Sequence, residues 1–474
     1  MFRWLVAFVF IVVLVGAATY VAAGRGAPPR VTIDKPDRFV GQKGSLEITA
    51  EAPDGRFSAL AIALEQNGRR IPLFTLLGDQ AARVTQVDRN RIHISRELGK
   101  QAVPELQPGA ARIVVTATRP SFLNLRPLTS RTTKDVQVQL EPPRLAIVSS
   151  HHHVNHGGSE MILYRATPSD VRSGVRVGDF EYPGYPAGVG ADANTRVAFF
   201  ALLHDQDLNV PIVVFARDEA GNESKLSFID NVFEKPFKRS RIQLDDKFLQ
   251  RVVPEILEHA PELKMTASED LLPAFLKING QLRQANAEAI AKMTANSSPA
   301  RLWAGPFVQL GNSQVEASFA DHRAYFYKGK EVDQQVHLGF DLAVTRSVPV
   351  VAANAGKVLN ASWLGIYGNC IIIDHGWGVA SLYGHLSSFD VRVGDSVTRG
   401  QTIGRSGMTG LAGGDHLHFT MLVNGHAVNP VEWWDPHWIQ DRVERKLQEA
   451  GPSTRETTAS RSLRMYAATP TGAQ

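Results

Sequence analysis

The chain has 474 residues, room for about three domains at ~150 residues each. Hydrophobic residues make up 43% and charged residues 21%, which excludes a largely disordered protein. A single cysteine, Cys370, excludes an intramolecular disulfide and any zinc knuckle built on cysteine pairs, and a net charge of +4 over this length argues for no nucleic-acid partner.

From the N-terminus, Trp4 to Gly24 carries no charge and is flanked by Arg3, Arg25 and Arg30. A stretch of about 20 apolar residues spans a bilayer, whereas a secretory core needs only ~7–15. Residues 1–24 therefore read as an uncleaved, single-pass transmembrane signal-anchor, with cleavage after Val21-Ala22-Ala23 as the alternative. Arg25 and Arg30 outnumber Arg3, so charge counting alone would leave the body in the cytoplasm.

Residues 30–141 show short alternating stretches such as Ser45–Ala50 and Ala111–Ala117. Turn signals at Pro53-Asp54-Gly55 and Asn67-Gly68 separate them. This pattern predicts a β-sandwich-like domain. Residues 30–140 hold 17 basic and 11 acidic residues, so the chain's basic surplus lies here. Pro142-Pro143 opens a second β segment, 142–240. In it, Val210–Ala216 running into Asp218-Glu219-Ala220-Gly221-Asn222 looks like the last hairpin of an immunoglobulin-like domain. The period then changes. Leu244–Val253 and 268–294 have helical spacing, the second with Ser268-Glu269-Asp270 placed to cap it. This gives a helical segment over 241–300, a β-rich domain over 301–437, and a helix with a disordered tail over 438–474.

The histidines are concentrated. Eight of the fifteen lie between 301 and 440, and four more form the cluster His151, His152, His153 and His156. With so little cysteine, nitrogen and oxygen ligands must hold any metal. Consecutive residues on a strand face opposite sides, so the 151–156 cluster converges poorly on one ion. In the C-terminal region three elements stand out. His337-Leu338-Gly339-Phe340-Asp341 places a histidine and a carboxylate four residues apart, about 13 Å on a straight strand, so a bend is needed and Gly339 would permit it. His416-Leu417-His418 puts two imidazoles on one face of an apolar strand. Tyr383-Gly384-His385-Leu386 carries an isolated histidine. The chain contains no HExxH helix motif.

Together these elements resemble the LytM/lysostaphin-type peptidoglycan zinc metalloendopeptidases, which share a duplicated hybrid motif catalytic domain. The likeness runs from about His337 to Pro430. It includes Tyr367-Gly368-Asn369, Asp374-His375-Gly376, Val393-Gly394-Asp395, Gly400-Gln401, Thr409-Gly410 and Asn429-Pro430. The resemblance implies that His337, Asp341 and His418 hold one Zn²⁺ per catalytic domain, and that His385 and His416 are catalytic without being ligands. It does not divide the roles between those two. It implies an antiparallel β catalytic domain and peptidoglycan as substrate. The body would then lie outside the cytoplasm, on the periplasm or cell-wall side of the inner membrane.

Two departures from the family pattern stand out. Asp415 occupies a position where the family often has proline; the residue reads as a turn former first and a histidine-orienting group second. The segment Phe319–Lys330 is longer than a minimal domain needs, and its Tyr325 and Tyr327 read as ordinary strand aromatics or as cleft lining. Cys370, within Asn369–Ile373, reads as a small core residue. The competing reading is a non-catalytic LytM-like regulator that activates another wall hydrolase, with a divisome-type protein as partner. Members of that kind lose ligands, whereas all five key positions are filled here. A lipoyl-like carrier, suggested by Val391–Gly404, would need a lysine that this stretch lacks.

Overall fold

The computed structural model describes residues 2–78, 82–121, 124–188, 191–265 and 270–449. The expected disordered tail from Gly451, and the expected capping residues Ser268 and Glu269, lie outside them. The molecule is mainly β, with an apolar helix α1 (Phe2–Ala23) at the start. At ~1.5 Å per residue its 22 residues reach about 33 Å, long and apolar enough to cross a membrane. Two compact units follow from the packing: Met1–Pro143 with Arg217–Ser224, and the remainder.

In the first unit, alternation does what it predicts. Leu46, Ile48 and Ala50 of Ser45–Glu51 are buried while their neighbours are not. A four-stranded and a five-stranded sheet each turn one such face inward. They meet over Leu46, Ile48, Leu60, Ile62, Ile94, Ile113 and Val115.

The second unit begins with further strands. Ser159–Thr167 pairs antiparallel with Thr195–Ala201. The expected all-helical stretch from 241 is corrected at its start. Arg239–Leu244 (β1) is a strand, so Leu244 closes a strand and does not open a helix. Helix α2 (Asp246–Glu258) starts one turn signal later, where the Asp245 side chain accepts a hydrogen bond from the Phe248 N–H at 2.7 Å. The second helical run is α3 (Leu272–Lys277), a wider π-type turn over Ile278–Leu282, and α4 (Arg283–Thr294).

Strand β1 pairs in parallel with β2 (Asp321–Tyr327), and β2 pairs antiparallel with β3 (Lys330–His337). After a two-residue break comes β4 (Phe340–Ala343). Strand β4 belongs to a separate, eight-stranded main sheet of antiparallel neighbours. The sheet runs from β4 to His416–Val423 at its centre, and on to Val379–Leu386 and Asn369–Gly376; in chain order these three are β5 (Asn369–Gly376), β6 (Val379–Leu386) and β7 (His416–Val423). The predicted C-terminal helix from 438 begins earlier. A short helix covers Pro430–Trp434, and helical backbone runs from Pro436 to Glu449. It does not trail off the domain: Trp433, Ile439 and Val443 are buried in the same core as the sheet.

Candidate metal centre

The site forms where three strand positions meet. On β7 the period of two sends Leu417, Phe419 and Met421 into the core and His416, His418 and Thr420 to the other face. Register then sets the neighbours. Asp341 of β4 lies directly across from His418, and Gly384 of β6 lies on its other side. His337 ends β3, and the break at Leu338-Gly339 folds it back toward Asp341.

Gly339 serves a different purpose from the one expected. Its backbone is not in the left-handed region. A Cβ there would fall 2.6 Å from the His418 ring and from Thr420 Oγ1. The glycine leaves room for the histidine; the bend itself is ordinary backbone.

Three donor atoms converge. His337 Nε2 lies 2.9 Å from Asp341 Oδ1 and 3.1 Å from His418 Nδ1, and His418 Nδ1 lies 3.0 Å from Asp341 Oδ1. The opposite ring nitrogens are already committed. His337 Nδ1 faces the Ser318 carbonyl at 3.1 Å, so it carries the proton. Thr420 Oγ1 donates to the Leu338 carbonyl at 2.9 Å, which leaves it to accept from His418 Nε2–H at 3.0 Å. With both imidazoles neutral, two bare nitrogens and a carboxylate oxygen therefore face one another with no proton between them. Such a group is repulsive unless a cation sits among it. Ligand atoms of tetrahedral zinc at ~2.0–2.1 Å stand about 3.3 Å apart, close to this triangle. The residues fit a zinc ion, and among the described residues they form the only such group.

The other two histidines are arranged alike. His385 Nδ1 donates to the Thr409 carbonyl at 2.8 Å and His416 Nδ1 to the Gly414 carbonyl at 2.9 Å. Both rings can thus offer Nε2 to the cavity, and their centroids are 4.8 Å apart. Their electrostatics differ. Burial, then the neighbouring His416 and His418, hold the His385 pKa well below its usual value. Burial opposes charge on His416, but the Asp341 carboxylate, 3.4 Å from its Nε2, outweighs it and raises the pKa. Burial takes His418 down to about 4. Without an ion, protons held by His337, His416 and His418 would offset the burial of Asp341 and hold its carboxyl well below the usual range.

The cavity above these groups is about 170 Å³. Ile242 of β1, Phe248 of α2, Phe275 of α3 and Tyr325 of β2 line it beside the histidines. This roof has its own apolar core, with Leu249, Val253, Ile256 and Phe275 packed onto Tyr325 and Ile366. Arg251 of α2 fastens it to the loop beside the site, donating to the Met408 carbonyl at 3.3 Å and to the Ala412 carbonyl.

Several expected residues have other work. Asp415 accepts from Ser347 N at 3.2 Å and Ser406 Oγ at 2.7 Å, tying two loops together. Tyr325 is buried and lines the cavity, whereas the Tyr327 hydroxyl bonds Asp246 at 2.6 Å. His152 bonds Ser149 at 2.9 Å, and the 151–156 cluster forms no metal-ligating group. Cys370 is buried in the core, where desolvation pushes its thiol pKa up. Two contributors were missed. Thr420 was findable, because it continues the His-x-His alternation by one step. Arg323, whose Nη2 lies 3.0 Å from Asp341 Oδ2, gives no such signal, since only strand pairing brings it there.

Residues 335–430 match the family described as Peptidase family M23. DD-carboxypeptidase/endopeptidase Mpg of Neisseria meningitidis serogroup B is 41% identical over 97 residues, 20% of this chain and 22% of that protein. Peptidoglycan DD-endopeptidase ShyA of Vibrio cholerae is 38% identical over 96 residues, 20% of this chain and 22% of that protein. Murein hydrolase activator EnvC of Escherichia coli K12 is 38% identical over 95 residues, 20% of this chain and 23% of that protein. The chain thus spans about a fifth of the length of these curated relatives. Among solved structures, the catalytic domain of lysostaphin from Staphylococcus simulans is 31% identical, with 26% of this chain covering 92% of it at a TM-score of 0.23.

Proposed function

Taking the C-terminal region as a peptidase family M23 domain, we propose that the protein is a membrane-anchored zinc endopeptidase that hydrolyses peptide cross-links of bacterial peptidoglycan. The observation that carries this reading is the proton-free triangle of His337 Nε2, Asp341 Oδ1 and His418 Nδ1. The activities for which Mpg and ShyA are named support the substrate class. Helix α1 would be the anchor, with the body outside the cytoplasm where that substrate lies.

His337, Asp341 and His418 would hold the ion. Bound there, zinc would polarise a scissile carbonyl and acidify a water. The remaining steps fall to side chains. His385 is kept neutral by burial and has its Nδ1–H fixed on Thr409, so its Nε2 takes a proton as general base. His416, with its Nδ1–H fixed on Gly414, would act from Nε2–H in its protonated form, stabilising the developing oxyanion and serving the leaving amine. The roof excludes bulk water from both.

A second reading, a regulator that activates another wall hydrolase, is favoured by the small covered cavity and by the likeness to EnvC. Muropeptide release by the full-length protein separates the two. The endopeptidase reading expects zinc at one ion per chain and new muropeptides by mass analysis. Both should be lost in His418→Ala. Identical products from wild type and variant would refute it.

A further inference from the structure

We infer that Arg323 is a positioning residue that fixes the Asp341 carboxylate so that one oxygen alone faces the metal locus. This rests on the zinc reading above, but it concerns a residue outside the matched stretch 335–430.

The two oxygens of Asp341 have separate neighbours. Oδ1 makes every contact with His337, His418 and His416, at 2.9, 3.0 and 3.4 Å. Oδ2 makes the contact with Arg323 Nη2 at 3.0 Å. The terminal torsion of an aspartate is soft and roughly two-fold, so an unbraced carboxylate can rotate and present both oxygens. Arg323 opposes that rotation by holding Oδ2 away. Its own position is fixed from the other side, where its Nε lies 3.5 Å from Asp321 Oδ2. Asp321 is buried and sits opposite His337 in the β2–β3 register.

A planar guanidinium suits this task. It reaches two carboxylates with separate N–H groups in a rigid fork, which a lysine cannot do. The pairing also resolves an electrostatic conflict. A bare cation beside a metal site would repel the ion, but Asp321 offsets the charge of Arg323. The arginine then supplies orientation with little net field.

Orientation and charge make opposite predictions, so zinc affinity of the full-length protein decides between them. Competition against a chromophoric chelator measures the dissociation constant for wild type, Arg323→Met and Arg323→Lys. If Arg323 positions Asp341, Arg323→Met weakens zinc binding about 10–100-fold, and Arg323→Lys recovers part of the loss. Co²⁺ substitution supplies a second readout. Rotation of the carboxylate to two-oxygen binding raises the coordination number, so the visible absorption of the Co²⁺ form weakens in Arg323→Met. Unchanged or tighter zinc binding in Arg323→Met, with an unaltered Co²⁺ spectrum, overturns the inference. If Arg323→Met does not fold, equal zinc affinity and spectrum in Arg323→Lys and wild type overturn it as well. A wild-type protein that binds no zinc overturns the zinc reading itself, a different and separately visible failure.

Discussion

At the residue scale, the site's chemistry is set by which atom of each side chain is already engaged. His337, His385 and His416 all spend Nδ1–H on a backbone carbonyl, and that choice turns every Nε2 inward. The same logic exposes an odd carboxylate elsewhere. Glu432 is buried and accepts from Ser159 N at 2.7 Å and Asn155 Nδ2 at 2.7 Å. Burial raises its pKa from 4.5 to about 7. A raised carboxyl pKa stabilises the fold fully below the unfolded value and loses that contribution as pH climbs through the folded one. Glu432 should therefore cost the protein about 3 kcal/mol on going from below pH 4.5 to above pH 7. Denaturant midpoints at pH 5 and 8 should show this loss in wild type, and Glu432→Gln should largely abolish it. An equal pH dependence in both would contradict the assignment. The sequence made His416, His418 and Asp341 legible, because alternation and motif spacing are local. Arg323 and Asp321 were not, because their place depends on β2–β3 register, which spacing does not encode.

At the element scale, two interlocked turns hold His385. Gly368 has φ +59 and ψ −139, a conformation left to glycine, and a Cβ there would lie 2.4 Å from Thr409 backbone. Gly410, at φ +72, would place a Cβ 2.4 Å from Gly368 N. Between them sits Thr409, whose carbonyl accepts the His385 proton and whose hydroxyl donates to the Leu386 carbonyl at 3.0 Å. Gly410→Ala should cost roughly 2–3 kcal/mol in strain and displacement. Under the endopeptidase reading it should also lower the rate far more than it lowers zinc content, since it moves His385 and leaves His337, Asp341 and His418 alone. Equal losses of zinc and rate would argue against that division. The strands were legible from period-two patterning, and the helical runs from their apolar spacing. Their boundaries were not. Leu244 fits a helical face as well as it fits the end of β1, and only pairing with Tyr327 decides it.

At the scale of the whole second unit, domain boundaries drawn at 240 and 301 do not coincide with the packing. The Phe199 ring of the earlier β segment lies 5.4 Å from that of Trp433, tilted by 42°, and one continuous core joins Val154–Ala216 to Trp303–Val443. Glu432 bonds Ser159, and Lys446 Nζ lies 2.8 Å from Glu160, so polar contacts cross the same seam. Each large side chain uncovered at this seam forfeits about 1.5–3 kcal/mol. A fragment of residues 301–449 should therefore be poorly soluble and bind a hydrophobic dye. A fragment of residues 144–449 should unfold in one cooperative step. A soluble, cooperatively folded 301–449 fragment would refute the shared core. The overall β character was visible from composition and punctuation. The fusion of the two segments was not, because buried aromatics look alike whichever neighbour they are buried against.

The roof has a kinetic consequence for any ligand larger than the cavity of about 170 Å³. Under the endopeptidase reading it would act as an inhibitor tethered to its own enzyme, present at a fixed effective concentration that dilution cannot lower. If such a ligand needs β1, α2 and α3 displaced, its apparent affinity would fall by the displaced fraction. Every ~1.4 kcal/mol of stability in the Leu249–Phe275 core or the Arg251 clamp then scales the half-saturating substrate concentration tenfold, with the chemistry beneath left unchanged.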